Sequence, residues 1–319
     1  MFGRVDAARR NNSWRATFDP QDRNKPFASG AFRWVAKGTY CGGGRDGEAC
    51  VLKWFKTGCV FSDTYFSMDI KATNKAIEIV QKWNDERLVD RIVRVNEAQV
   101  WVSQDPCPGP GYNNRDRRPG AGERCLVEPF IENYQKFNSN SGWCDRSSPW
   151  PRVMQALSHY SYHISKGELL LCDLQGGCYQ NGVVLTDPVI MSNNRRYGVT
   201  DLGSEGISNF FANHRCNEYC RSHWLKIEGT RKVFRKVRGT TMRPYRVPYH
   251  VPTRHERNLM SVQENRQAVG VLENRRRGLH TLVDKLWGRH PVKRWFQRIF
   301  RRTARTQHRG GGRRHRDPG

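Results

Sequence analysis

The stretch FRWVAKGTYCGGGRDGEACVLKWF (residues 32–55) sets the architecture. It holds two β-type runs, FRWVAKGTY (32–40) and ACVLKWF (49–55), on either side of a glycine-dense segment, CGGGRDGE (41–48), that includes an Asp-Gly pair. Runs of this kind around such a turn predict a β-hairpin. The CGGGRDGE segment has the look of a phosphate loop, but it lacks the G-x-G-x-x-G spacing and fits a hairpin turn equally well. Lys53 interrupts the apolar second run. A lysine inside a strand either lies at an edge with its amine in water or is aimed into a cleft.

Outward from the hairpin, DIKATNKAIEIVQKWNDE (69–86) spaces Ile70, Ile77, Val80 and Trp83 as an amphipathic helix would. RIVRVNEAQVWV (91–102) reads as one or two strands. Residues 105–123 are dense in Pro, Gly and charge and predict a long loop. RCLVEPFI (124–131) reads as a strand, NSNSG (138–142) as a turn and RVMQALSHYSYHIS (152–165) as a helix. ELLLCDL (168–174) and GVVL (182–185) read as buried strands. SEGISNFFANHRCNEYCRSHWL (204–225) reads as a helix closing the folded part. A β-rich front and a mixed back predict an α+β fold of two lobes, with no internal repeat. The expected organisation is a loose segment over 1–26, a folded domain over 27–224 and a basic tail over 225–319, largely disordered with short amphipathic helices.

Charge supports that division. Residues 225–319 carry 26 Lys/Arg against 6 Asp/Glu, whereas the first 224 carry 29 against 24. A tail of net charge +20 suits an anionic partner: an acidic protein face, a membrane surface or nucleic acid, the last not favoured. Within it, HTLVDKLWGRHPVKRWFQRIFRRTART (280–306) mixes aromatic and basic residues, and Pro291 limits it to two short helices. The opening MFGRVDAARRNNSWR has no apolar signal-peptide core, and no run of about 18 apolar residues exists to span a bilayer. The expected setting is intracellular, cytoplasmic before nuclear, with reduced thiols.

NHRCNEYC (213–220) brings His214, Cys216 and Cys220 into seven positions. A structural zinc needs a fourth ligand. His159 and His163, at i and i+4 on the helix predicted for 152–165, are the earlier histidines, and spacing does not choose between them. On the predicted 204–225 helix, Cys216 and Cys220 would share a face. The plainer alternative is a helix end with reduced core cysteines. Asp173 follows a buried strand and precedes Gln175 and two glycines, a place from which a carboxylate projects into a cleft or merely ends a strand.

PFASGAFRWVAK (26–37), VEPFIENYQKFNSNSG (127–142), QALSHYSYHISKGELLLCDLQG (155–176), LTDP (185–188) and GVTDLGSEGISNFFANHRCNEYC (198–220) occur in this order. That series resembles the alpha-kinases, the atypical protein kinases that include elongation-factor-2 kinase and the myosin heavy chain kinases. The resemblance runs over about residues 26–222. It implies a two-lobed protein-kinase-like fold with a zinc-stapled helical end and a Ser/Thr kinase that uses ATP and Mg2+. It selects His159 to join His214, Cys216 and Cys220 on zinc. Lys53 and Arg33 would reach the nucleotide phosphates, and Glu128 would lie at the adenine hinge. Asp173 would be the hydroxyl-orienting base, Gln175 and Asp187 the magnesium ligands. Gly198 and Gly203 would bound a glycine-rich loop beside the nucleotide and the peptide. Asp69, at the start of the helix after the lysine strand, is either a partner for Lys53 or, as is more usual, a carboxylate favoured by the helix N-terminus.

Two departures from the family pattern stand out. Asp201 occupies a loop position where the family commonly has Asn, and CYQNGVV (178–184) lengthens the segment between the two magnesium ligands. The alternative from another class is a catalytically inactive kinase fold serving as a zinc-stapled, basic-tailed nucleic-acid-binding or interaction protein. The retained Lys53, Asp173, Gln175 and Asp187 argue against it.

Overall fold

The hairpin forms as its sequence predicts. The computed structural model describes residues 9–18, 26–104 and 119–242. Strands β3 (Arg33–Cys41) and β4 (Ala49–Phe55) pair antiparallel, with CGGGRDGE as the turn. Asp46 caps that turn by accepting from the Gly42 N–H. Strand β4 alternates: Cys50, Leu52 and Trp54 enter one core, and Val51, Lys53 and Phe55 face the other way.

The front sheet has the order β1-β3-β4-β7-β6, with β2 added to β3. Its other strands are β1 (Arg15–Phe18), β2 (Ala28–Ser29), β6 (Gln99–Val102) and β7 (Arg124–Pro129). Helix α1 (Ser67–Asp85) follows a 3-10 turn over Asp63–Phe66, which Ser62 caps by accepting from the Thr64 N–H. Strand β5 (Ile92–Val95) lies in a second sheet of order β5-β11-β10-β8, built with β8 (Tyr134–Lys136), β10 (Gln175–Tyr179) and β11 (Gly182–Leu185). RIVRVNEAQVWV is therefore two strands, one in each sheet. A ladder of β9 (Leu169–Cys172) and β12 (Val189–Ser192), with helices α2 (Pro149–Ile164) and α3 (Gly203–Phe211), completes the back part.

Helices α1 and α2 share one core with β5, β9 and β11. Trp83 meets Tyr160 edge-on at 5.4 Å and Trp224 at 6.4 Å inside it. The α+β, two-lobed class read from the sequence is the class observed. No helix among the described residues is long and apolar enough to cross a membrane.

Three expectations need correction. Within the segment expected to be loose, residues 9–18 are placed: β1 pairs with β3, and Asn11 is buried, accepting from the Tyr40 hydroxyl and donating to the Val127 carbonyl at 2.9 Å. Ala16 and Phe18 of β1 also pack against the front core, but a four-residue run is too short to stand out as a strand in the sequence. The helix predicted over 204–225 stops at Phe211; the His214 N–H still reaches the Phe210 carbonyl at 2.8 Å, and beyond it the chain runs on in turns. The tail does not begin free at 225. Ile227 and Phe234 pack against Leu202, Ile207 and Phe210, and Asn209 Oδ1 accepts from Val233 N (2.9 Å) and Phe234 N (3.0 Å). The amphipathic stretch at 280–306 and most of the predicted 105–123 loop lie outside the described residues.

Candidate active site

Register decides what surrounds Lys53. Val51 lies opposite Glu128 and Lys53 opposite Leu126, so Lys53 and Glu128 are diagonal neighbours on one face of β4–β7. Arg33, opposite Phe55, joins the same face from β3. Lys53 Nζ lies 2.5 Å from Glu128 Oε1 and 2.6 Å from Asp187 Oδ2, and donates to Thr186 Oγ1 at 3.1 Å. Burial alone would push the lysine pKa down, but Asp187 and Glu128 outweigh it and hold it above the ordinary value. Burial raises the Glu128 carboxyl despite Lys53. Asp187 also resists burial: Lys53 and Arg33 keep its carboxyl below the usual range.

Glu128 thus spends its carboxylate on Lys53 and on Thr186, whose hydroxyl lies 2.7 Å from it. Asp69, at the start of α1, takes Arg33 rather than Lys53, at 2.7 Å. Arg33 is buried beneath Phe55 and Phe66, with its guanidinium 4.9 Å from the Phe55 ring centre. Asp69, 34% exposed at the start of α1, lies nearer to it than to the β4 lysine.

Asp173 comes at the end of β9 in the left-handed region (φ 58°), as does Asp187 after β11 (φ 47°). Aspartate is among the few side chains that tolerate this conformation, and such positions cluster at functional sites. Asp173 is buried. Lys136 Nζ lies 3.0 Å from its carboxylate, the Asn140 N–H donates to Oδ1 at 3.2 Å, and the Thr240 hydroxyl donates to Oδ2 at 2.7 Å. Lys136 sits opposite Gln175 across β8–β10 and also donates to Gln175 Oε1 at 3.3 Å. Thr186 N donates to the Gln175 carbonyl at 2.9 Å, which places Gln175 beside the Thr186–Asp187 pair.

The added length of CYQNGVV does not separate Gln175 from Asp187. It is absorbed at the far end of the β10–β11 hairpin, where Tyr179 faces Gly182, while the near end stays closed by the Gln175–Thr186 bond. Gly176 permits this: a Cβ there would meet the Val184 carbonyl oxygen at 1.8 Å.

Gly198 (φ 86°) and Gly203 (φ 73°) bound a loop whose Thr200 carbonyl accepts from Asn140 Nδ2 at 3.0 Å, so it borders the Asp173 end of the site. Asp201 is buried inside that loop and accepts from four donors. Oδ1 takes Ser192 N and Gly203 N at 2.9 Å each; Oδ2 takes Ser192 Oγ at 2.6 Å and Tyr197 N at 3.3 Å. Acceptance on both oxygens suits a carboxylate, because an amide would turn its NH2 toward two of those donors. This accounts for Asp at a position where Asn was expected.

The four soft ligands converge. The ligand atoms of His159, His214, Cys216 and Cys220 all lie within 4.8 Å of one another, with Cys216 Sγ 3.6 Å from His159 Nδ1 and Cys220 Sγ 3.6 Å from His214 Nε2. Bonds of about 2.3 Å to sulfur and about 2.1 Å to nitrogen at a tetrahedral centre put N and S roughly 3.6 Å apart. His159 Nε2 is taken by the Leu225 carbonyl at 2.9 Å, which leaves Nδ1 for the cluster. Burial lowers the His159 pKa and pushes His214 down to about 3, so both favour the neutral, ligating form. His163 stays outside and receives the Leu225 N–H at 3.3 Å. The cysteines reach the cluster from turns rather than from one helix face.

The family model described as the alpha-kinase family matches residues 28–220. The chain belongs to the alpha-kinase family. An alpha-protein kinase of Dictyostelium discoideum, vwkA, is 40% identical over 103 residues, 32% of this chain and 16% of the relative. Alpha-protein kinase 1 of the same organism is 32% identical over 225 residues, 69% of this chain and 15% of the relative. The match thus spans about one sixth of those relatives. An alpha-kinase structure from Entamoeba histolytica superposes with a TM-score of 0.52 at 26% identity, covering 68% of this chain and 82% of that one. The inactive alpha-kinase domain of myosin-II heavy chain kinase A complexed with ATP superposes at 0.53 with 22% identity, covering 66% and 90%.

Within this alpha-kinase fold, sequence reasoning missed Lys136, Asn140 and Thr186. All three were visible only as polar residues in ENYQKFNSNSG and LTDP. The β8–β10 pairing and the β9 turn bring Lys136 and Asn140 to Asp173, and no periodicity announces either.

Proposed function

We propose that this chain is a Ser/Thr protein kinase that transfers the γ-phosphoryl group of ATP to a protein hydroxyl. The observation that carries the reading is the buried Lys53, held between Glu128 and Asp187 at 2.5 and 2.6 Å, with Gln175 bonded through its backbone to the neighbouring Thr186. Phosphoryl transfer is mostly positioning and charge stabilisation. Lys53, oriented by Glu128, and Arg33, oriented by Asp69, supply positive charge for the phosphates. Asp173 orients the acceptor hydroxyl and takes its proton, with Lys136 Nζ 3.0 Å from its carboxylate.

Gln175 and Asp187 are the residues that would hold Mg2+, a sparse oxygen set adequate for an ion that keeps water and phosphate ligands. Mg2+, when bound, neutralises charge on the transferring phosphates. Lys53, now 2.6 Å from Asp187, would supply its ammonium to the nucleotide phosphates. His159, His214, Cys216 and Cys220 would hold a structural Zn2+ that ties α2 to the chain after α3. The substrate is a protein, and the basic tail serves to attract an acidic one. A cytoplasmic setting suits ATP chemistry and thiolate ligands.

The test is phosphate transfer from Mg-ATP to a generic threonine peptide by the full chain and by Asp173→Asn. The full chain is expected to turn over and the variant to lose turnover by at least about 100-fold with ATP affinity kept; a lowered melting temperature accompanies the loss, because the amide faces the Lys136, Asn140 and Thr240 donors. A folded, ATP-competent full chain with no transfer would leave the inactive-fold reading standing.

A further inference from the structure

The turn that leads into the 198–203 loop carries positive charge on its outer side. SNNRRYG (192–198) leaves β12 at Ser192, and Asn193, Asn194, Arg195 and Arg196 are all exposed. Interior bonds fix its backbone. Arg195 N donates to the Ser192 carbonyl at 3.2 Å, Arg196 N to Ser192 Oγ at 2.9 Å and Tyr197 N to Asp201 Oδ2 at 3.3 Å. Ser192 Oγ in turn donates to Asp201 Oδ2 at 2.6 Å, so the buried carboxylate that shapes the loop also sets the turn. Arg195 is held in the left-handed region (φ 54°), which an arginine rarely adopts. A turn that served only to reverse the chain would take Gly or Asn there.

Three cations meet on this rim. Arg195 lies across Gly203, where a Cβ would meet its Nε at 2.6 Å, and its Nη2 is 3.3 Å from Glu205 Oε2. Lys71, exposed on α1, donates to the Arg196 carbonyl at 3.1 Å and sits 4.8 Å from the Tyr197 ring centre. Among the described residues no carboxylate pairs with the Arg196 guanidinium. Asp201 is spent on donors inside the loop and Asp69 on Arg33, so Glu205 offsets only part of the charge. The same loop goes on to Thr200, whose carbonyl is bonded to Asn140, and the Asn140 N–H donates to Asp173 Oδ1 at 3.2 Å.

We infer that Arg195 and Arg196, with Lys71, form a specificity subsite that selects an acidic side chain close in sequence to the acceptor. The substrate is then a protein segment with Asp or Glu near its Ser or Thr. The inference rests on the kinase reading of Asp173 given above. It is separate from the attraction exerted by the basic tail, which acts at a distance, whereas these side chains read one position of the bound peptide. A guanidinium matches a carboxylate in a fixed fork geometry, and a lysine brought to the same place meets like charge.

The experiment measures kcat/KM of the full chain on threonine peptides in which a single Glu, Lys or Ala is moved through each position near the acceptor, on either side. Expected is one position at which Glu exceeds Ala by roughly fivefold, the upper end for one exposed ion pair, and Lys falls below Ala. Arg196→Glu should invert the order at that position with the KM for ATP kept, and the Glu-to-Lys ratio within each enzyme cancels any general loss of activity. Should that variant fold poorly, Lys71→Glu should weaken the same preference, and the parent's preference should shrink as salt rises. Active enzyme with no preference for Glu at any position overturns the inference alone. So does a preference that neither variant changes, as one set by the tail would be. Transfer to no peptide overturns the kinase reading as well.

Discussion

Lys53→Met removes the ammonium that lies between Glu128 and Asp187, and the two carboxylates respond differently. Asp187 is 39% exposed and can be solvated where it stands, whereas Glu128 is 3% exposed and keeps only the Thr186 hydroxyl among the partners described above. Removing one member of a buried pair costs about 3–5 kcal/mol, and the lower end applies here because Glu128, already raised by burial, escapes by taking up a proton. For a domain of this size each kcal/mol moves the melting temperature by about 2–4 °C, so a loss of about 3 kcal/mol lowers it by roughly 6–12 °C. The pH dependence has a definite sign. A carboxyl whose folded pKa is raised holds a proton that the unfolded chain releases, so its contribution to stability is lost as pH rises. The deficit of Lys53→Met should therefore grow between pH 5.5 and pH 8. The double variant Lys53→Met/Glu128→Gln has no buried carboxylate to strand, so it should recover at least about 1 kcal/mol at pH 8 and show a flatter profile. Urea denaturation with matched slopes measures all three proteins, and ATP turnover should be lost in both variants alike. A single variant as stable as the parent at pH 8, or a double variant no better than the single, would refute the placement of Glu128 as the buried partner of Lys53.

Cys216→Ser and His159→Ala should lower solubility and melting temperature, with metal analysis finding about one zinc per chain in the parent, because a structural zinc contributes folding free energy directly. His163→Ala should be mild, and the reverse ranking of the two histidine variants would remove His159 from the ligand set. Asp201→Asn should cost about 1–3 kcal/mol in denaturation, since the amide leaves Tyr197 N or Ser192 Oγ facing a donor; an unchanged stability would mean that the loop is held elsewhere. Deleting residues 243–319 should leave generic-peptide phosphorylation intact and slow phosphorylation of an acidic protein, an effect that shrinks as salt screens charges beyond about 8 Å. Equal rates on the acidic protein at low salt would end the docking role.

Much of the site was legible because strand residues have fixed neighbours. ACVLKWF announced a strand with one misplaced charge, and a lysine in such a run has few uses. Asp69 takes Arg33 rather than Lys53 for a reason of register. Sequence distance places Asp69 at the start of the helix after Lys53, but β3–β4 pairing puts Arg33 at the end of the face nearest that helix. Strand β10 was hidden because QGG reads as a turn, whereas its glycines are there to let β11 and the chain at Glu132 approach closely. The segment over 225–242 looked like a solvated tail because its charges are outward and its anchors are backbone bonds, which composition does not report.

The sequence by itself determined the two-lobed α+β class, the hairpin with Lys53, the helices around residues 69–86 and 152–165, and the motif series that marks an alpha-kinase. All of these follow from local periodicity, turn chemistry or residue order. Tertiary structure alone decided two pairings: Glu128 on Lys53 and Thr240 on Asp173. It also brings His159, which the family resemblance selects, beside the cysteine turn. Each contact joins residues 55 or more positions apart, and no local pattern encodes which of several chemically suitable side chains strand register and loop path will bring together.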